Sequence, residues 1–136
     1  MFSNETALRK ALCTKLETFR WFTQKLEAEG MNAGIPDLII GRNYVQMFIE
    51  LKLEKTAAPS FDKGITVHWR PGQQAWAVKY YKSVRKCVWN LIQYNDRLAL
   101  VYTGASVYKD NKVPASDIKW FKNLDSFCDW VTGVEE

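Results

Sequence analysis

The sequence predicts an α/β fold, with helices packed on a mixed sheet of about five strands. Three observations carry this. Leu8, Leu12, Leu16 and Phe19 recur at helical spacing, which gives an amphipathic helix over residues 4–19. Residues 45–53 alternate: Val45, Met47, Ile49, Leu51 and Leu53 share one face, and Gln46, Phe48, Glu50 and Lys52 share the other. The patterned segments then run helix, three strands, helix, two strands, helix, an order that layers helices on a sheet.

In order along the chain, Ser3 or Asn4 caps the first helix. Residues 20–26 form a first strand, and 30–34 a loop. Asp37–Ile40 is a short strand closed by the turn signal Gly41-Arg42-Asn43, and with 45–53 it makes an antiparallel hairpin. Residues 56–68 are polar, contain Pro59 and Gly64, and read as a mobile loop. Pro71 suits the first turn of a second helix reaching about Lys86. Residues 87–94 and 98–103 are two more strands joined at Asn95-Asp96-Arg97, and a last helix covers 124–131.

At 136 residues the chain is expected to be one domain, large enough to fold without disulfides or a structural metal. Its 47% hydrophobic and 14% aromatic content argues against disorder. The formal net charge of +4 permits a polyanionic partner without requiring one. Cys13, Cys87 and Cys128 are widely spaced and odd in number, so they read as reduced thiols. No apolar run approaches the roughly 18 residues of a membrane span. The first ten residues carry an early acid and no secretory core. The expectation is a cytoplasmic protein, in the host cytoplasm if the source is viral, and a compact chain of this kind fits a phage or mobile element.

The chemistry concentrates in residues 34–54, GIPDLIIGRNYVQMFIELKLE. Asp37 heads one apolar run, and Glu50 and Lys52 sit inside another. Charges in such strands are costly unless something compensates them. Carboxylates of Asp37 and Glu50 converging from neighbouring strands suit Mg²⁺ or Mn²⁺, with the Leu51 carbonyl as a further ligand. Lys52, two residues on, reaches the same face and can orient a water or neutralise charge. Glu5 falls on the inward stripe of the first helix and can add a ligand. An acid-x-Lys triplet is weak by itself, since Asp110-Asn111-Lys112 and Asp117-Ile118-Lys119 also occur. The alternative is a surface pair of Glu50 and Lys52, with Asp37 an ordinary turn acid.

GIPDLIIG followed by MFIELKLE resembles the PD-(D/E)XK nuclease superfamily, and RPGQQAW, residues 70–76, resembles the segment after the core in its virus-type replication-repair (VRR-NUC) branch. The resemblance spans about residues 5–76. It implies a restriction-endonuclease-like core in which Asp37, Glu50 and Lys52 are catalytic, Gln73 helps from the next helix, and Glu5 matches the helical acid of many members. Lys25 lies where such enzymes often have a basic residue. The chain departs in having Arg70 where Ser or Thr is common, and in its tryptophan-rich second half.

Lys79, Lys82 and Lys86 share a face of the second helix and form either a phosphate-tracking stripe or a solvated face. Arg42, Lys55, Lys63 and Arg70 near the expected cleft are candidates for DNA contact. Trp69, Trp76, Tyr80 and Tyr81 either stack on unpaired bases or pack. His68, the single histidine, excludes a two-histidine metal centre, and no phosphate-binding glycine loop occurs. The reading is a Mg²⁺- or Mn²⁺-dependent DNA endonuclease, acting as a homodimer; the resemblance implies branched DNA such as a four-way junction as substrate, and a nicking or end-processing nuclease is equally open. The alternatives are a non-catalytic nucleic-acid-binding module and a protein-interaction adaptor.

Overall fold

The computed structural model describes residues 1–26, 34–102 and 111–135. Its elements are α1 (Glu5–Thr18), β1 (Phe22–Lys25), β2 (Leu38–Arg42), β3 (Val45–Leu53), β4 (Ile65–Thr66), α2 (Gln73–Val84), β5 (Trp89–Gln93), β6 (Leu98–Val101), β7 (Lys112–Val113), β8 (Ile118–Phe121) and α3 (Leu124–Glu135).

Six strands form one sheet in the order β1-β2-β3-β5-β6-β8, and β4 with β7 forms a separate pair. Only β3 and β5 run parallel in the large sheet, and α2 bridges them; the other neighbours are antiparallel. The β2–β3 register pairs Leu38 with Ile49, and its continuation by one step sets Asp37 opposite Glu50.

The alternation in β3 sorts its side chains into two cores. Met47, Ile49 and Leu51 pack with Leu8, Leu12 and Leu16 of α1, and with Phe127, Cys128 and Val131 of α3. On the other face Phe48 packs against α2, meeting Trp76 and Tyr80 edge-on at centroid distances of 5.2 and 5.1 Å. The small β4–β7 pair covers the rest of that face, with Ile65, Val67 and Val113 on Ile92, Tyr94, Ala99 and Val101.

The expected helices and hairpin form, with shifted boundaries. Asn4 caps α1, its Oδ1 accepting from the Ala7 N–H at 2.8 Å. The turn between β2 and β3 is Asn43–Tyr44 rather than Gly41–Asn43; both residues take positive φ (45° and 71°), as a two-residue hairpin turn of the I′ kind requires. Pro71 lies ahead of α2, which begins at Gln73 after Gly72 in a left-handed conformation. The segment 56–68 is not all loop, since it supplies β4, which pairs with β7. The sheet has six strands rather than about five because Ile118–Phe121 adds to β6 as an edge strand. The expected loop at 30–34 lies mostly outside the described residues, as does Thr103 at the end of the fifth expected strand.

Among the described residues, no helix is long and apolar enough to cross a membrane.

Candidate active site

Four elements bring the acids and the lysine together. Asp37 precedes β2, Glu50 and Lys52 lie on β3, Glu5 opens α1, and Gln73 opens α2. Two glycines set the approach. Gly34, at φ 102°, lies so close to Gly72 that any β-carbon there would collide with the Gly72 carbonyl. The absence of a side chain thus lets the Gly-Ile-Pro-Asp segment rest on the start of α2. From the other side, the buried Gln93 amide of β5 clasps the backbone ahead of α1. Its Nε2 donates to the Phe2 carbonyl at 2.7 Å, and its Oε1 accepts from the Phe2 N–H at 3.2 Å.

The carboxylates converge on one nitrogen. Arg70 Nη2 lies 3.2 Å from Glu5 Oε1, 3.4 Å from Asp37 Oδ1 and 3.4 Å from Glu50 Oε1. Glu50 is 1% exposed, whereas the Arg70 side chain is 55% exposed. Asp37 also accepts from the Leu51 N–H, through Oδ2, at 2.7 Å. A strand residue points its N–H and C=O to the same side, so the Leu51 carbonyl faces Asp37 as well. Glu5, Asp37, Leu51, Arg70 and Arg9 line an open cavity of about 290 Å³.

Burial, then a hydrogen bond and charge repulsion from Asp37, push the Glu50 carboxyl up to about 9. Burial thus favours the protonated form of Glu50 in the absence of a metal. Burial also lowers the Lys52 ammonium from its usual range, with the Glu50 charge opposing the shift. Lys52 Nζ donates to Gln73 Oε1 at 2.9 Å and lies 5.7 Å from the centre of the Trp69 ring. The same Gln73 oxygen accepts from the Arg70 backbone N–H at 2.7 Å.

These donors fit a hard divalent cation. Three carboxylates and a backbone carbonyl are oxygen ligands of the right class, and the Arg70 guanidinium already stands as a cation at their centre. The acids are spaced for that guanidinium, not for an ion with Mg–O distances of about 2.1 Å. Accordingly, no group of three His, Cys, Asp or Glu residues among the described ones stands at metal-binding spacing.

The structure thus gathers Glu5, Asp37, Glu50, Leu51, Lys52 and Gln73, and it draws in Arg70, which the sequence suggested only as a DNA contact. Lys25 pairs with Leu38, next to Asp37. Arg42 pairs with Val45 at the opposite end of the hairpin, away from the acids. Lys55 is exposed just past β3, and Lys79 and Lys82 are exposed on α2. Trp76 and Tyr80 pack on Phe48, so they belong to the α2 contact rather than to an open stacking platform. Trp89, Tyr102, Phe121 and Trp130 pack on one another.

Sequence reasoning missed three features. Asn90 sits on β5 beside Glu50, 1% exposed, with Oδ1 lacking a partner; a lone amide inside Val-Trp-Asn-Leu-Ile was its signal. The Gln93 clasp left a similar trace at the end of the same strand. His68 Nδ1 meets Glu54 Oε1 at 2.6 Å, beyond Lys52 on the same face of the strand. A larger apolar groove of about 610 Å³, between α1 and the start of α3, holds none of the site residues.

No protein-family model and no curated protein matches the sequence. Among solved structures, the chain resembles Hjc, a Holliday junction resolvase from the archaeal hyperthermophile Archaeoglobus fulgidus. The TM-score is 0.55 at 13% identity, over 82% of this chain and 88% of that one. At that identity the likeness is one of fold, and it agrees with the expected restriction-endonuclease-like α/β core.

Proposed function

We propose that this chain is a metal-dependent DNA endonuclease that hydrolyses phosphodiester bonds, with branched DNA such as a four-way junction as its substrate. The observation that carries the reading is the convergence of Glu5, Asp37 and Glu50 on one point, with a buried lysine two residues from Glu50. Support for a structured DNA substrate comes from the likeness in fold to a Holliday junction resolvase. The Arg70–Trp76 segment favours the VRR-NUC branch within the superfamily.

Asp37, Glu50, Glu5 and the Leu51 carbonyl would hold Mg²⁺ or Mn²⁺. When bound, such an ion acidifies a water and neutralises charge on the scissile phosphate. Glu50 must release its proton to become a ligand. Lys52, held by Gln73 Oε1 and flanked by Trp69, presents an ammonium beside that position and stabilises developing negative charge. Gln73 acts through Lys52 and Arg70 as a positioning residue. Lys25, Lys55, Arg70, Lys79 and Lys82 contribute phosphate contacts. Arg42, at the far end of the hairpin, serves only a DNA long enough to reach it. One 136-residue domain with one site cuts one strand, so double-strand cleavage calls for a homodimer. The setting is the cytoplasm, that of the host if the chain is viral.

The test incubates the protein with plasmid, linear duplex and labelled four-way junction in Mg²⁺, Mn²⁺ or EDTA, beside Asp37→Ala and Lys52→Ala. Metal-dependent cleavage that both variants lose supports the reading. Binding without cleavage in any metal refutes it and leaves a nucleic-acid-binding module.

A further inference from the structure

We propose that Arg70 is a built-in occupant of the cation seat, which a divalent ion must displace and which then becomes available to a substrate phosphate. The inference rests on the nuclease reading of the site and deepens it.

The geometry makes Arg70 a counter-ion rather than a bystander. One guanidinium nitrogen meets three carboxylates at 3.2, 3.4 and 3.4 Å. Without a cation there, the carboxyl groups of Glu5, Asp37 and Glu50 would face one another with no counter-ion between them. The side chain can leave without refolding. Its backbone is pinned in a turn, the N–H to Gln73 Oε1 at 2.7 Å and the carbonyl accepting from the Gln73 N–H at 3.1 Å. The side chain itself is 55% exposed, so rotation of its stem carries the guanidinium into solvent.

A small divalent ion and the guanidinium compete for the same oxygens. Once displaced, Arg70 keeps its charge and its planar fork of donors, and it stands at the rim of the cavity beside the acids. A phosphate oxygen is the natural partner for that fork. The consequence is order: phosphate binding at this point follows metal loading, because the arginine is engaged until the metal arrives.

The test is a calorimetric titration of Mn²⁺ into the native chain, Arg70→Ala and Arg9→Ala. Arg9 lines the same cavity, so its removal takes away an equal charge without vacating the seat. Arg70→Ala is expected to bind Mn²⁺ about tenfold tighter, and Arg9→Ala to change by less than about twofold. Equal tightening in both variants, or none in Arg70→Ala, overturns the proposal. Should Arg70→Ala lose its native circular dichroism, Arg70→Gln carries the same comparison.

A second arm reads labelled four-way junction binding by anisotropy, in EDTA and in Ca²⁺. The native chain gains affinity on adding Ca²⁺, and Arg70→Ala loses about tenfold of that gain. An equal gain in both overturns the phosphate half. The arms separate this inference from the nuclease reading. Tighter Mn²⁺ binding by Arg70→Ala supports the exchange even if no metal yields cleavage. Cleavage by the native chain with unchanged Mn²⁺ binding overturns the exchange alone.

Discussion

The Lys52 ammonium and the Gln73 carboxamide form a buried hydrogen bond of 2.9 Å, and the same amide oxygen takes the Arg70 N–H at 2.7 Å. Gln73→Ala strips both donors of their acceptor where Lys52 is only 6% exposed. Stability is expected to fall by about 1–3 kcal/mol. Cleavage is expected to fall by about 10- to 100-fold as Lys52 loses its orientation. Urea denaturation and single-turnover cleavage check the two. Unchanged cleavage in a folded Gln73→Ala protein would remove Gln73 from the site.

In metal-free buffer, stability is expected to fall as pH rises from about 5 to 9. The Glu50 carboxyl lies near 9 in the folded chain, against a usual 4.5. Across that window the folded state holds a proton that the unfolded state has released, so the slope is negative, at most about 1.4 kcal/mol per pH unit. The lowered Lys52 works in the opposite sense, below its usual 10.5. Glu50→Gln removes the acid's contribution. The difference between the native chain and this variant, followed by denaturation at several pH values in EDTA, should grow with pH. A difference that stays flat contradicts the protonated Glu50.

Gly34→Ala is expected to destabilise the chain by about 2–4 kcal/mol, since the position combines positive φ with contact against Gly72. Cleavage should fall beyond what the unfolded fraction accounts for, because the shift moves Asp37 relative to Gln73. Thermal melts paired with activity per folded molecule separate the two effects.

Gln93→Leu frees the Phe2 backbone, and with it the entry to α1 that carries Glu5. The expected cost is about 1–2 kcal/mol. Loss of activity should resemble that of Glu5→Ala. Hydrogen exchange should rise at the Ala7 and Leu8 amides while that of β3 is preserved.

Lys79 and Lys82 offer a salt test. If both meet phosphates, the double alanine variant should reduce the slope of log affinity against log salt by about 1.8 on duplex DNA. A slope unchanged within error assigns the stripe to a solvated helix face.

The β2–β3 hairpin was legible because one face of β3 is wholly apolar and the other is not, which leaves a period-two record, and a charge inside such a strand needs a reason. Glu5 was legible for the same kind of reason, as a polar residue on an apolar helical stripe. Arg70 was visible as a candidate DNA contact and as a departure from a pattern, not as a partner of the acids. Its insertion among the acids depends on the turn that Gly72 and Gln73 close, a relation across 65 residues that spacing cannot encode. β8 went unread because Ile118–Phe121 is short and only half-buried at a sheet edge. β4 and β7 are two residues each, below the length at which alternation means anything.

The Asn43–Tyr44 turn stands at the far end of the hairpin from the chemistry, yet it sets which face of β3 carries the acid. Adding or deleting a single residue there slides one strand past the other by one position, turning Glu50 and Lys52 into the α1 core and Ile49 and Leu51 outward. The side chains of the turn matter less than its length, since Tyr44 is fully exposed and any residue that accepts positive φ serves there. A change in its length is expected to cost the site as much as the loss of an acid.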